Sequence, residues 1–216
     1  MTSVLERWIS RRALRLLPQL ILGVAIFGLG IGLMARSRLG LDPWSVLHEG
    51  LSGHLGLALG TVDIAFSVVI LALWFPLKQR PGIGTVAATF LIGTSTNVSM
   101  SLIGVPGGLL PRFGFLIAGS VLIAIGTGLY LSVDLGPGAR DGLMTGLHQR
   151  TGWSIRTVRI GIEAVVLVVG FFLGGTVGLG TVIYAVAIGP MVQVTLGWWD
   201  KAGAIMMRDE GPGPVR

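Results

Sequence analysis

The sequence predicts an all-α membrane protein: six transmembrane helices arranged as two inverted three-helix repeats, each repeat carrying a short interfacial or re-entrant helix. Three observations carry this prediction. Of the 216 residues, 52% are hydrophobic and only 12% charged, about half the charged share of a soluble domain, and the mean hydropathy is +0.80. Lipid is therefore the solvent for most side chains. Six mainly apolar stretches approach the ~20 residues that a helix needs to cross a bilayer. A shift of 96 residues, which carries Gly30 onto Gly126, aligns one half of the chain with the other.

The six stretches are Leu17–Ala35, Gly60–Leu77, Gly82–Ile103, Phe113–Val133, Thr157–Gly174 and Gly178–Trp198. Arg7, Arg11, Arg12 and Arg15 precede the first, as in a signal peptide. Its apolar run is longer than an h-region and no A-x-A site follows, so it is read as a retained span. With the N-terminus inside, every Lys and Arg except Arg36, Arg38 and Arg112 falls on the cytoplasmic side, Arg140 among them as a loop charge. That asymmetry obeys the positive-inside rule and returns the C-terminus to the cytoplasm. Trp8, Trp74, Trp153, Trp198 and Trp199 fall near the inner interface and Trp44 near the outer one, where amphipathic rings are favoured. The net charge of +6 thus sets orientation and does not point to nucleic acid. The chain divides into a basic cytoplasmic tail (1–16), a first repeat (17–104), a second repeat (105–198) and a cytoplasmic C-terminal tail (199–216).

The repeat is carried by glycines. The shift pairs Gly23 with Gly119, Gly32 with Gly128, Gly40 with Gly136, Gly50 with Gly146, Gly56 with Gly152 and Gly93 with Gly189. It also lays Gly82-Ile-Gly-Thr-Val86 on Gly178-Leu-Gly-Thr-Val182. Three spans is an odd number, so the second copy enters the membrane from the opposite side and a pseudo-two-fold axis lies in the membrane plane. Secondary transporters use this layout, with the site near mid-membrane at the repeat interface. It is also a simple way to build any small bundle.

Each repeat has one long connection, residues 36–54 and 134–150. Each contains a short helical pattern: Pro43 to Leu51 with Asp42 as N-cap, and Arg140 to Gln149. Both are too short and too polar to span. They lie flat at the interface or dip into the protein. A dipping helix aims its N-terminal amides inward and favours an anionic group near Pro43 and near Arg140.

Ionisable residues inside spans are costly and mark candidate function. They are Asp63, Arg159 and Glu163. The shift aligns Asp63 with Arg159, each about one turn inside its span and able to snorkel. Glu163 lies about 9 Å along its span and shares a helix face with Arg159. The pair reads either as an internal ion pair or as a proton or substrate relay. Asn97 and Gln193, also related by the shift, read as interhelical hydrogen bonding or as a polar lining between repeats. Arg140 and Asp141 at the start of the second short helix complete the candidate pathway. His48, His54 and His148 lie in loops without metal-ligand spacing and are read as solvated. Cysteine is absent, which removes disulfides and thiolate chemistry. Gly28-Leu-Gly-Ile-Gly32 sits in an apolar helix, not between a strand and a helix, and so fails as a dinucleotide fingerprint. No catalytic constellation is visible, so neither enzymatic activity nor a cofactor or metal is expected.

Leu39-Gly-Leu-Asp-Pro-Trp-Ser-Val-Leu-His48, Leu135-Gly-Pro-Gly-Ala-Arg-Asp-Gly-Leu-Met144, Arg159-Ile-Gly-Ile-Glu163 and Gly174-Gly-Thr-Val-Gly-Leu-Gly-Thr181 together resemble the YczE-type bacterial membrane proteins, grouped with YyaS and YitT. The resemblance runs from about Leu17 to Gln193. Where that family tends to read Gly-Pro-Trp-Asp, this chain reads Asp42-Pro43-Trp44-Ser45, with the acid moved from after the tryptophan to before the proline. The resemblance implies a multi-pass protein of the bacterial plasma membrane, with transport supposed from topology and an accessory role in secondary-metabolite production associated with a relative. The function expected is a small secondary transporter or exporter of a small molecule; the alternative is a non-transporting scaffold or accessory subunit. The expected partners are the lipid bilayer, a small-molecule substrate and, given the small size, a second copy of the chain; nucleic acid is not among them.

Overall fold

A computed structural model describes the backbone of residues 11–208 and the side chains of residues 13–199. The expectations placed on Arg7, Trp8 and the C-terminal tail beyond residue 199 lie outside the described side chains. The described residues form eight α-helices and no strand: α1 Arg11–Ser37, α2 Pro43–Leu55, α3 Leu59–Trp74, α4 Ile83–Leu102, α5 Leu109–Ser132, α6 Ala139–Thr151, α7 Ile155–Phe172 and α8 Leu179–Arg208.

Each apolar stretch and each short pattern is a helix, and the ends follow local chemistry. Asp42 has an extended backbone and its carboxylate accepts from Ser45 N at 3.2 Å, while Pro43 occupies the first turn. These are the features of a strong N-cap. Gly56 then closes α2 in the left-handed region at φ 66, and Gly152 closes α6 at φ 74; glycine adopts that conformation without a Cβ penalty. α2 therefore runs four residues beyond the Leu51 that the sequence suggested.

Among the described residues, length and composition alone qualify three helices for crossing a membrane: α1 from Ala13, α5, and α8 as far as Trp199. α3 has 16 residues, about 24 Å, short of a ~30 Å hydrocarbon core. It qualifies only jointly with α2, from which it is bent by 110°. α7 carries Arg156, Arg159 and Glu163, and α4 is diluted by polar residues from Thr85 to Ser101.

α1 and α5 form the centre. A Cβ on Gly30 would lie 2.7 Å from Gly119 O, and one on Gly119 would lie 2.7 Å from Gly30 O. Gly23 and Gly126 approach in the same way, at 3.1 and 2.6 Å from the opposite carbonyl. Only small residues let helix backbones come this close. These contacts are reciprocal under the 96-residue shift, since Gly23 maps to Gly119 and Gly30 to Gly126. Likewise Gly84 N donates to Leu135 O and Gly180 N to Leu39 O, both at 2.8 Å.

The outer helices depart from that correspondence. α3 and α4 touch through Gly60 and Gly93, where a Cβ would meet the opposite carbonyl at 1.9 and 2.2 Å. Asn97 locks the crossing: its Oδ1 accepts from Gly60 N at 2.8 Å and its Nδ2 donates to Thr61 Oγ1 at 3.0 Å. The counterparts are Arg156, Thr157, Gly189 and Gln193. There α7 and α8 scarcely touch, and a Cβ on Gly189 would meet nothing within 4 Å. The short helices cross over, α2 packing on α7 and α6 on α3. Gly170 accommodates Leu47 at the first contact and Gly142 accommodates the Trp74 ring at the second. The Trp74 indole donates to Ala139 O at 3.0 Å. Trp74 and Trp44 are thus core residues and not the interfacial anchors the sequence suggested, whereas Trp153 and Trp198 are exposed.

Candidate functional site

α2 is buried from Pro43 to His48 and exposed from Gly53 onward, so its N-terminal end faces inward. α6 brings Ala139, Arg140 and Asp141 to the same place. The two N-termini meet at a cavity of about 170 Å³, room for roughly six water molecules. Phe27 of α1, Asp63 and Ser67 of α3, Ile92 of α4, Tyr130 of α5, Arg159 and Glu163 of α7, and Tyr184 of α8 complete the wall.

Arg140 organises the charges. Its Nη2 donates to Asp63 Oδ1, its Nη1 lies 3.9 Å from Asp42 Oδ1, and its guanidinium sits 5.0 Å above the Trp44 ring. Asp63 is 3% exposed, so the pair is dry on one side; there, desolvation is severe and losing either partner is costly. His48 is buried behind Asp63, with Nδ1 3.1 Å from Asp63 Oδ1, within ion-pair range but off the line of a hydrogen bond, and Nε2 has no partner. Tyr130 OH donates to Asp141 Oδ2 at 2.7 Å. Asp42 Oδ2 is buried without a hydrogen-bond partner.

The site gathers five of the seven residues the sequence singled out: Asp63, Arg140, Asp141, Arg159 and Glu163 all line the cavity. Three expectations are corrected. Asp63 does not snorkel to water, because Arg140 reaches it inside the protein. Arg140 is not a loop charge, because α6 dips inward. His48 is not solvated, because α2 carries it into the core; His54 is exposed. Arg159 Nε donates to Glu163 Oε1 at 2.8 Å as an i,i+4 pair, the ion-pair reading of that motif. Asn97 and Gln193 lie outside the cavity lining: Asn97 holds α3 against α4, and Gln193 is exposed. The anionic groups expected near the two helix N-termini are the chain's own Asp42 and Asp141.

Sequence reasoning missed Trp44, His48, Tyr130 and Tyr184, and saw Asp42 only as a cap. The shift held a usable signal. Trp44 and Arg140, Asp63 and Arg159, Ser67 and Glu163, Ala88 and Tyr184, and Ile92 and Ile188 are each related by 96 residues, and both members of every pair line the cavity. The cavity therefore takes its wall from matched positions of both halves, and Arg140 stacks on its own counterpart, Trp44. Among the described residues, no group of three or more His, Cys, Asp or Glu is placed to hold a metal ion. What the arrangement offers is a small, charged and partly aromatic chamber.

An all-helical bundle with three helices apolar enough for a bilayer, closed around a charged chamber, defines a helical membrane protein. Residues 14–196 match the family described as a family of unknown function (DUF6198), and the chain belongs to that family. A protein of Haemophilus influenzae described as uncharacterized is 40% identical over 177 residues, 82% of this chain and 81% of the relative. The uncharacterized membrane protein YczE of Bacillus subtilis is 31% identical over 179 residues, 81% of this chain and 82% of the relative. The uncharacterized protein YyaS of the same organism is 27% identical over 175 residues, 79% of this chain and 87% of the relative. These relatives agree with the resemblance carried by the loop motifs. No solved structure matches the chain significantly.

Proposed function

We propose that the protein is a small secondary transporter or exporter. In this reading six helices span the bacterial plasma membrane as two inverted three-helix repeats, both termini are cytoplasmic, and α2 and α6 are re-entrant. The observation that carries the reading is the position of the chamber. It takes its wall from matched positions of both halves, beside a tight α3–α4 crossing and its loose α7–α8 counterpart. In transporters built from inverted repeats, rocking about a fixed central site gives alternating access. Exchanging the tight and loose arrangements would expose the chamber to the other side.

The chain has no cysteine, so cross-linking reads this exchange directly. Thr61→Cys with Asn97→Cys should cross-link in the arrangement described. Thr157→Cys with Gln193→Cys, the counterpart pair, should cross-link only in the exchanged one. Both should be trapped from one preparation, and proteoliposomes should show solute flux that either cross-link abolishes. If the second pair never cross-links and no flux appears, the transport reading fails. The second reading is a scaffold or accessory subunit, favoured by the self-pairing of Arg140 with Asp63 and of Arg159 with Glu163. Purification with a stoichiometric partner would support it.

A further inference from the structure

We propose that the chamber binds a small organic monocation of the alkylammonium class, held by the Asp42 and Asp141 carboxylates and the ring faces of Tyr130 and Tyr184. This names the substrate class of the site proposed above and rests on that reading only for the step from binding to transport. The argument is a charge count. Four carboxylates line the chamber, Asp42, Asp63, Asp141 and Glu163, against two guanidinium groups, Arg140 and Arg159. Arg140 takes Asp63 and Arg159 takes Glu163. Asp42 and Asp141 are left. Arg140 approaches Asp42 only to 3.9 Å, and Asp42 Oδ2 is buried without a hydrogen-bond partner. Asp141 receives a neutral phenol from Tyr130.

The helix N-termini of α2 and α6 add about +0.5 charge each, which offsets about one of the two surplus carboxylates. Counted over the groups that line the chamber, the remainder is close to one negative charge. One positive charge completes the site. An organic cation fits better than a bare metal ion for two reasons. No group of three or more acidic or imidazole ligands is placed to hold a metal among the described residues, and the wall carries the aromatic side chains of Trp44, Tyr130 and Tyr184, rings of the kind that attract ammonium groups. Arg140 over Trp44 shows that attraction already operating within the chamber. The volume of about 170 Å³ restricts the ligand to a few heavy atoms.

The test is calorimetric titration of the purified full chain in detergent with ethylammonium chloride, against sodium chloride and sodium acetate at equal ionic strength. Saturable binding of ethylammonium alone is expected. Asp42→Asn retains the N-cap, because Asn caps as well as Asp, and Asp141→Asn retains an acceptor for Tyr130. Each removes one charge and should weaken binding roughly tenfold or more, with the unfolding temperature of the empty protein confirming that each variant folds. If Asp42→Asn does not fold, Asp141→Asn decides alone. Saturable acetate binding, sodium binding without ethylammonium binding, or unchanged affinity in every folded Asn variant overturns the proposal. Ethylammonium binding without flux would sink the transport reading and leave this inference standing; flux of an anion without ethylammonium binding would do the reverse.

Discussion

Arg140→Gln should be the most damaging charge removal in the protein, and Asp63→Asn should partly repair it. The Asp63 side chain is 5% exposed and that of Arg140 is 19% exposed. Removing the guanidinium strands Asp63 and leaves Asp42 without its neighbour at 3.9 Å. An orphaned buried charge costs about 3–5 kcal/mol. Coulomb attraction at ~4 Å and an effective dielectric of 20 is of the same order, about 4 kcal/mol. Asp63→Asn alone should cost less, because Arg140 keeps Asp42 and the amide oxygen still accepts. The double variant should recover about 1–3 kcal/mol relative to the sum of the singles. For a chain of this length each kcal/mol moves the melting midpoint by about 2–4 °C, so Arg140→Gln should lower it by about 10 °C. Thermal unfolding of the four proteins in one detergent reads the cycle. If the singles add to within about 0.5 kcal/mol, Arg140 and Asp63 are not coupled and the chamber described here is wrong. Arg159→Gln is the contrast: its pair is 50% and 29% exposed, and such pairs contribute under about 1 kcal/mol.

Three further outcomes follow from the packing. Gly93→Ala should cost about 1–3 kcal/mol, because its Cβ would strike Gly60 O, while Gly189→Ala, facing open space, should stabilise by up to about 1 kcal/mol; paired melts check the difference in sign. Asn97→Ala should cost about 1 kcal/mol, from two interhelical hydrogen bonds at ~0.6 kcal/mol each, and Gln193→Ala should leave the midpoint unchanged. Gly142→Ala should push Trp74 aside, since its Cβ would sit 2.0 Å from the indole; quenching by a soluble quencher should then reach a tryptophan that is shielded in the parent protein, and unchanged quenching would refute the Trp74–Gly142 contact.

What could be read from the sequence depended on distance along the chain. Helix positions follow from local hydropathy and caps, so Asp42 and Pro43 announce the start of α2, while its end at Leu55 lies four residues past the expected Leu51. The glycine register was visible because close helix approaches tolerate almost nothing else, and Gly23, Gly30, Gly119 and Gly126 reappear as the α1–α5 contact. Arg159 and Glu163 were visible as a pair because four residues along a helix always face together. Asp63 and Arg140 are separated by 77 residues, and no periodicity relates them; only the inward dip of α6 does. The same dip, and that of α2, decides whether Arg140 and His48 belong to loops or to a core. Hydropathy is silent there, because a short polar helix reads alike whether it lies on a membrane or points into a protein. Hydropathy also overstates the number of self-sufficient spans, since α3 and α4 bury polar residues such as Asp63, Ser67, Thr85 and Thr96 against their neighbours.

Arg140 stacked on Trp44 has a genetic implication. A side chain beside a two-fold line faces the same position of the other half. In a dimer of identical three-helix chains, arginine at that position would face arginine and tryptophan would face tryptophan, and position 63 would be acid in both halves or base in both. Neither version could hold a cation stacked on a ring or oppose opposite charges across one chamber. Joining the halves in one polypeptide frees the two copies to differ where they meet. The copies differ at 44/140 and at 63/159, while the glycines along the α1–α5 contact are the same in both. In the inverted-repeat reading proposed above, joining the halves in one chain lets a symmetric frame enclose an asymmetric interior.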